Sequence, residues 1–145
     1  MSMQAFGQSD NIDLVQHAGA FAAVSAGDAP APLRVYIAGP MTGIPNHNFP
    51  TFRKAACDLN CRGYHAVSPL EINNEQDGAP GEWAECMKRD IAALMTCDAV
   101  ALLDGWQRSR GALLEHFIAQ TVGIACRSID HFLQPATGRP PATPL

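Results

Sequence analysis

The sequence predicts an α/β domain built around a parallel sheet, from about Leu33 to Ile129. Two observations predict it. Segments with the two-residue period of strands alternate along the chain with segments whose apolar residues recur at helical spacing. The segment Asp98–Leu103 is almost wholly apolar, as expected of a parallel strand that is covered on both faces. Such alternation predicts right-handed crossovers, and therefore strands that all run in one direction.

The elements of this domain follow one another in a regular order. The predicted strands are Leu33–Ala38, Tyr64–Ser68, Asp98–Leu103 and Ile124–Ile129, and the first and third should be neighbours. The predicted helices run from about Pro50 to Arg62, from Glu82 to Thr96, and from a Ser109 cap to Val122. Gly63 and Gly123 end the first and last helices, because glycine readily adopts the left-handed conformation found there.

Each predicted helix has an apolar stripe that should face the sheet. The three stripes are Phe52, Ala55, Ala56 and Leu59; Ala84, Met87, Ile91, Leu94 and Met95; and Leu113, Leu114, Phe117, Ile118 and Thr121. By helical angle Glu115 lies away from the third stripe. Periodicity alone therefore predicts a surface acid near a helix N-terminus, where the helix dipole favours negative charge.

Both ends of the chain differ from its middle. Residues 1–32 are rich in Ala, Gly, Ser and Gln and predict a flexible N-terminal extension, with at most a weak helix around Ile12–Val24. Residues 134–145 form a proline-rich tail that should be extended or disordered. The folded domain is thus expected at residues 33–133. Both ends should be dispensable for folding, because they bury too little apolar surface to offset their ordering entropy.

Composition narrows the function classes. The 145 residues are 47% hydrophobic and carry a net charge of −4, which argues against a nucleic-acid polymer as partner. No apolar run approaches the roughly 20 residues that cross a bilayer, so no membrane association is expected. Five cysteines without a C-x-x-C pair or a signal peptide predict reduced, buried or half-buried thiols in a cytoplasmic protein. Metal-binding histidine patterns are also missing from the sequence, so we expect neither metal nor cofactor.

Three loops follow the carboxyl ends of the first three strands, where parallel sheets bind ligands. They are Gly39–Asn48, Pro69–Gly81 and Asp104–Gly111. The first loop begins with two glycines and Thr42, whose hydroxyl and neighbouring N–H groups could hold a phosphate or a ribose. A stiff turn without a ligand is an equal alternative, because the spacing matches neither a Walker loop nor a dinucleotide fingerprint.

Two acidic residues lie close to this predicted crevice. Glu115 borders it because it stands near the start of a helix at the carboxyl edge of the sheet. Asp90 flanks an apolar stripe beside Trp83 and Met87, where poor solvation would shift its protonation. The alternative for Asp90 is an interfacial acid paired with Lys88, Arg89 or another cation.

Four segments together resemble the nucleoside 2-deoxyribosyltransferase-like superfamily, and most of all its uncharacterised phage and bacterial branch with a YIAGPMTG motif. They are Val35–Gly43, Arg89-Asp90, Cys97–Leu103 and Ser109–Glu115. The resemblance covers about Leu33–Ile129. It implies a flavodoxin-like parallel sheet of four to five strands flanked by helices.

The resemblance also implies an activity: metal-free cleavage of the N-glycosidic bond of a nucleoside or nucleotide, by hydrolysis or base transfer. Glu115 would be the nucleophile, Asp90 would serve the leaving base, and Tyr36 would hold the Glu. The implied substrate-binding residues are Gly39, Pro40, Met41, Thr42, Gly43, Ser109, Arg110 and Gly111. A homo-oligomer with the crevice near a subunit interface is also implied. The alternative function on the same fold is a non-catalytic nucleotide-binding sensor or accessory module.

Two positions depart from the pattern of characterised superfamily members. Phe117 stands where a small residue usually follows the Glu by two positions. Pro40 replaces a more flexible residue of the phosphate loop in nucleotide-cleaving relatives. Both departures predict a reshaped sugar pocket, so substrate identity does not carry over.

Overall fold

The sheet has four parallel strands. The computed structural model describes residues 30–74 and 82–135. Its strands are β1 Arg34–Ala38, β2 His65–Val67, β3 Ala99–Leu102 and β4 Ala125–Ser128, in the spatial order β2-β1-β3-β4. The predicted α/β class and the pairing of the first and third strands are confirmed, since Tyr36 lies opposite Val67 on one side and Val100 on the other. The predicted helix at Ile12–Val24 and the greater part of both predicted extensions lie outside the described residues.

Five helices flank this sheet in the described part of the chain, consistent with a flavodoxin-like fold. They are α1 Phe49–Cys61, α2 Pro69–Ile72, α3 Trp83–Leu94, α4 Arg110–Thr121 and α5 Ile129–Leu133. The two short helices are absent from the sequence prediction, which assigned a loop after Ser68 and ended the last strand at Ile129. The Ser68 hydroxyl caps α2 by accepting a hydrogen bond from the Leu70 N–H at 3.3 Å. One or two turns are too short to show an apolar period, which explains the omission.

The core has two layers, one on each face of the sheet. Because successive strand residues point to opposite faces, Val35 and Ile37 of β1 enter the layer under α1 and α5. Tyr36 and Ala38 enter the other layer, which contains residues of α3 and α4. Tyr36 thus points toward the helices that carry the two acidic residues singled out above.

The predicted stripes of α3 and α4 are partly wrong. Leu113 and Phe117 of α4 are 45% and 66% exposed, and the buried residues of this helix are Ala112, Glu115 and Ala119. In α3 the buried set is Cys86, Met87, Asp90 and Leu94, whereas Ala84 and Met95 are exposed. The physical reason is that α4 packs on the sheet through small alanines, and a tyrosine hydroxyl in the core provides a partner for a buried carboxyl group.

The cysteine prediction is wrong at two positions. Cys57 and Cys61 are exposed on α1, while Cys86 and Cys97 are buried and Cys126 is intermediate. The exposed pair lies on the outer face of α1, away from the buried Leu59. In the described ranges there is no helix of the length and apolarity that a membrane crossing requires.

Candidate functional site

A pocket of about 580 Å³ lies at the carboxyl edge of the sheet. All three predicted loops contribute to its walls, together with α3 and α4, so the predicted convergence of the loops is confirmed. Its volume is in the range of small-molecule sites. The lining residues are Gly39, Pro40, Met41, Thr42, His47, Phe52, Pro69, Asn73, Trp83, Cys86, Met87, Asp90, Arg108, Ser109, Arg110, Gly111, Ala112 and Glu115.

A hydrogen bond between Tyr36 and Glu115 lies at the base of the site. The Tyr36 hydroxyl donates to Glu115 Oε2 at 2.5 Å, and the two residues are 0% and 4% exposed. The surface position that periodicity predicted for Glu115 is therefore wrong. Ala112 and Ala119 bring α4 close to the sheet, which allows a strand residue and a helix residue 79 positions apart to bond directly.

Burial raises the pKa of both partners. Burial raises the pKa of Glu115 to about 8; the hydrogen bond from Tyr36 lowers it, and the neighbouring Asp90 raises it. In the free protein Glu115 thus exchanges its proton in the physiological range. Burial, together with the negative charge of Glu115, holds the pKa of Tyr36 well above its usual 10. Tyr36 therefore remains a neutral donor to the carboxyl group.

Asp90 is the second buried acid of the pocket, with 6% exposure. Asn73 Nδ2 donates to Asp90 Oδ1 at 2.8 Å and also to the Pro69 carbonyl at 3.1 Å. Arg89 Nε in turn donates to Asn73 Oδ1 at 2.7 Å. One amide thus connects the carboxyl group to an arginine, whereas Lys88 bonds to Glu85 at 3.1 Å.

Sequence reasoning missed Asn73. Its only signal was its place in the loop after the second strand, because amides in loops are common and their partners depend on tertiary contacts. The structure puts Asn73 directly after α2, so the single turn that begins at Pro69 determines where its amide lies.

The first loop approaches the sheet closely. A Cβ on Gly39 would lie 2.8 Å from the Leu103 Cβ, so only glycine fits there without a shift. Asn48 Nδ2 donates to the Pro40 carbonyl at 2.9 Å and ties the two ends of the loop together. Of the predicted binding residues in this loop, Gly39 to Thr42 line the pocket. Gly43, with a φ of +83°, is exposed and does not.

The N-terminus of α4 forms another wall. The Ser109 hydroxyl accepts a hydrogen bond from the Ala112 N–H at 3.1 Å, which confirms the predicted cap. The Arg110 guanidinium lies 3.8 Å from the centre of the Trp83 ring, a geometry in which the cation is attracted to the ring face. A Cβ on Gly111 would lie 3.2 Å from Met87 Sδ, so α3 and α4 are in close contact here.

The two departures from the superfamily pattern have different outcomes. Phe117 does not line the pocket, because its side chain lies on the exposed face of α4. Phe117 therefore does not shape this pocket, and its effect on sugar binding stays a prediction. Pro40 does line it. Among the residues that the structure describes, no group of three His, Cys, Asp or Glu side chains is arranged to hold a metal ion.

The comparison with protein families gives one match. The family model described as a domain of unknown function (DUF4406) matches residues 33–127. The matched segment contains every residue that lines the pocket and extends from β1 into β4. No curated protein matches the chain.

Proposed function

We propose that this chain, which belongs to the DUF4406 family, is an N-glycosidase or 2-deoxyribosyltransferase-like enzyme acting on nucleosides or nucleotides. The observation that carries the proposal is the pair of carboxyl groups buried in one pocket, one of them held by a tyrosine hydroxyl. Glu115 and Asp90 both line that pocket, and Tyr36 bonds to Glu115 at 2.5 Å. Most enzymes that cleave glycosidic bonds use a pair of carboxyl groups in one site.

In the proposed reaction Glu115 acts as the nucleophile. Its carboxylate oxygen forms a bond to the anomeric carbon of the sugar while the bond from that carbon to the base nitrogen breaks. The base leaves with the electron pair of that bond and takes a proton from Asp90. Water, or a second base, then attacks the same carbon, gives a proton to Asp90, and releases Glu115 as a carboxylate.

Tyr36 is proposed to orient the nucleophile. Its hydroxyl bonds to Oε2 of Glu115, so Oε1 is the oxygen available to the sugar. The same bond lowers the pKa of Glu115 and so opposes the effect of burial. Tyr36 is fully buried, and its strand β1 lies between β2 and β3 in the sheet. Its side chain is therefore held rigidly.

The other pocket walls are proposed to bind the substrate. Gly39–Thr42 would contact the sugar or its phosphate, together with the N-terminus of α4 at Ser109–Gly111, and Gly43 would act by shaping the turn. Trp83 and Met87 offer apolar surface for a base. The proposal requires no metal or cofactor. It includes a cytoplasmic location and a homo-oligomeric state.

The protonation of Glu115 predicts a pH profile. Attack on the sugar requires the carboxylate, and the pKa of Glu115 is about 8. The proposed reaction uses Glu115 as the carboxylate and Asp90 as the acid, so the two carboxyl groups must together hold one proton. The negative charge of Asp90 raises the pKa of Glu115, and the value of about 8 therefore marks the loss of the last proton of the pair. Because kcat/KM reports the ionisation of the free enzyme, it should fall as the pH rises through about 8. A rise over the same range would show that the base leaves without a proton from Asp90.

One observation favours the alternative of a non-catalytic nucleotide-binding module. A Glu115 with a pKa of about 8 is mostly protonated at neutral pH, and in that form it binds as a hydrogen-bond donor but does not attack. A sensor of this kind would bind nucleosides or nucleotides without releasing base.

Product analysis separates the two functions. The full chain is incubated at pH 7 with a mixture of ribo- and deoxyribonucleosides and their 5′-monophosphates, and free bases are measured by chromatography. The enzyme releases base, and Glu115→Gln loses this release by several orders of magnitude. The matched control is Glu85→Gln on the exposed start of α3, which should retain the wild-type rate. Ligand-induced thermal stabilisation without base release from any substrate would favour the sensor.

A further inference from the structure

The outer face of α4 is apolar and uncharged. Four large apolar side chains are exposed here, three on the helix and one, Val122, directly after it. Their exposed fractions are 45% for Leu113, 37% for Leu114, 66% for Phe117 and 46% for Val122. From Gly111 to Ile124 the only Asp, Glu, Lys or Arg is Glu115, and its side chain points inward. A helix on a protein surface normally has charged residues on its outer side. The composition of this face is instead that of the centre of a protein–protein interface.

We propose that a second copy of this chain covers this face, with two α4 helices packed antiparallel across a two-fold axis. Leu113, Phe117 and Thr121 follow one another at intervals of four residues and so form one stripe. Phe117 is the middle residue of that stripe. An antiparallel pairing centred there puts Phe117 against Phe117 of the other copy, and Leu113 against Thr121 of the other copy.

The chemistry of the stripe suits a copy of itself. A two-fold interface brings each residue near its own equivalent, so the surface must complement itself. Apolar side chains satisfy this requirement, and the lack of charge on the stripe avoids repulsion between like residues at the axis. Gln120 supplies an exposed polar group beside the stripe, as in the rim of an interface.

The exposed area also fits a dimer. If a large apolar side chain offers about 200 Å² when fully exposed, the four exposed side chains provide roughly 390 Å² per copy. A standard interface buries about 800 Å² per partner, with its apolar residues at the centre. These four side chains together therefore have the size of an apolar interface centre, and neighbouring polar residues would form the remainder.

This inference specifies the surface behind the proposed homo-oligomer, and it does not depend on the glycosidase chemistry. Glu115 lies on the opposite face of α4, so a charge on the outer face alters the mass of the assembly without touching the pocket. An intact dimer that releases no base would refute the proposed chemistry alone. A monomeric chain that releases base would refute this inference and the proposed homo-oligomeric state, and would leave the chemistry standing.

Light scattering coupled to gel filtration of the full chain tests the surface. We expect the mass of two copies at micromolar concentration for the wild type, and a dissociation constant at least 100-fold weaker for Phe117→Glu. The control is Cys57→Glu, an exposed site on α1 in the opposite layer, which should remain dimeric. A wild-type monomer at 100 μM would overturn the proposal, as would a Phe117→Glu variant that dimerises normally.

A charge-pair rescue tests the register. Leu113→Lys and Thr121→Glu each place a single charge against an apolar or uncharged partner, so each alone should weaken the dimer at least tenfold. Together they place opposite charges against each other across the axis, and dimerisation should return to within about threefold of the wild type. Residues 113 and 121 are eight positions apart, too far for a pair within one helix. Additive weakening in the double variant would overturn the antiparallel arrangement. Circular dichroism confirms that each variant is folded.

Discussion

Removing the buried carboxyl group of Glu115 should make the protein more stable, and increasingly so as the pH rises. Its pKa is about 8 in the folded protein against an ordinary value of 4.5. The folded state thus holds the proton more tightly than the unfolded state. The stabilisation that results is complete below pH 4.5 and disappears as the pH rises to about 8. Gln in place of Glu keeps the shape but cannot lose a proton.

The size of the effect follows from the shift. One pKa unit corresponds to about 1.4 kcal/mol, so the full effect on the free energy of unfolding is about 5 kcal/mol. Between pH 5.5 and pH 7.5 the free energy of unfolding of Glu115→Gln should gain about 3 kcal/mol relative to the wild type. Such a gain would mean that the fold tolerates an unfavourable buried acid, as is common for groups kept for activity.

Urea denaturation at half-unit pH intervals measures this difference, and subtraction of the wild-type curve removes the contribution of all other titrating groups. The control Glu85→Gln changes a side chain that is 52% exposed and paired with Lys88 on the surface. Its curve should run parallel to that of the wild type. A Glu115→Gln curve that is also parallel to the wild type would refute the account of a protonated, buried Glu115.

Three further substitutions test the groups around the pocket. Tyr36→Phe removes the donor to Glu115 without creating a large cavity, so it should lower the free energy of unfolding by about 1–3 kcal/mol. It should also move the fall of kcat/KM to higher pH, and an unmoved profile would contradict the role of the bond. Asn73→Ala should lower the free energy of unfolding, measured by urea denaturation, by about 1–2 kcal/mol. It should also slow base release by lowering kcat more than it raises KM. Wild-type kinetics would show that Asp90 needs no amide partner. Gly39→Ala puts a Cβ 2.8 Å from that of Leu103. Calorimetry should therefore find that the free energy of unfolding falls by about 1–3 kcal/mol. An unchanged melting temperature would contradict the close approach.

The sheet and the position of the pocket could be predicted because both depend on the order of elements along the chain. Alternating strand and helix periods are local properties, and they are enough to predict a parallel sheet whose loops meet at one edge. The glycine-rich segment that begins at Gly39 could be assigned to that edge for the same reason. The pairing of β1 with β3 agrees with this prediction.

The inner face of α4 could not be predicted, because periodicity assigns large apolar residues to the core. Phe117 is outside, and Ala112 and Ala119 are inside. What decides the orientation is a tertiary contact, the hydroxyl of Tyr36, which lies 79 positions from Glu115 in the sequence. A stripe that can be buried by a second copy looks the same in the sequence as a stripe that faces its own core. Family resemblance pointed to Glu115 where the apolar pattern did not.

The most direct test of the central claim is a search for the glycosyl-enzyme. The full chain is mixed with a nucleoside or nucleotide from which it releases base, quenched in acid within the first turnovers, and digested for mass spectrometry. The peptide containing Glu115 should gain the mass of one sugar residue, and the same peptide of Glu115→Gln should gain none. Release of base at the wild-type rate by Glu115→Gln, with no modified peptide in either protein, would contradict the central claim.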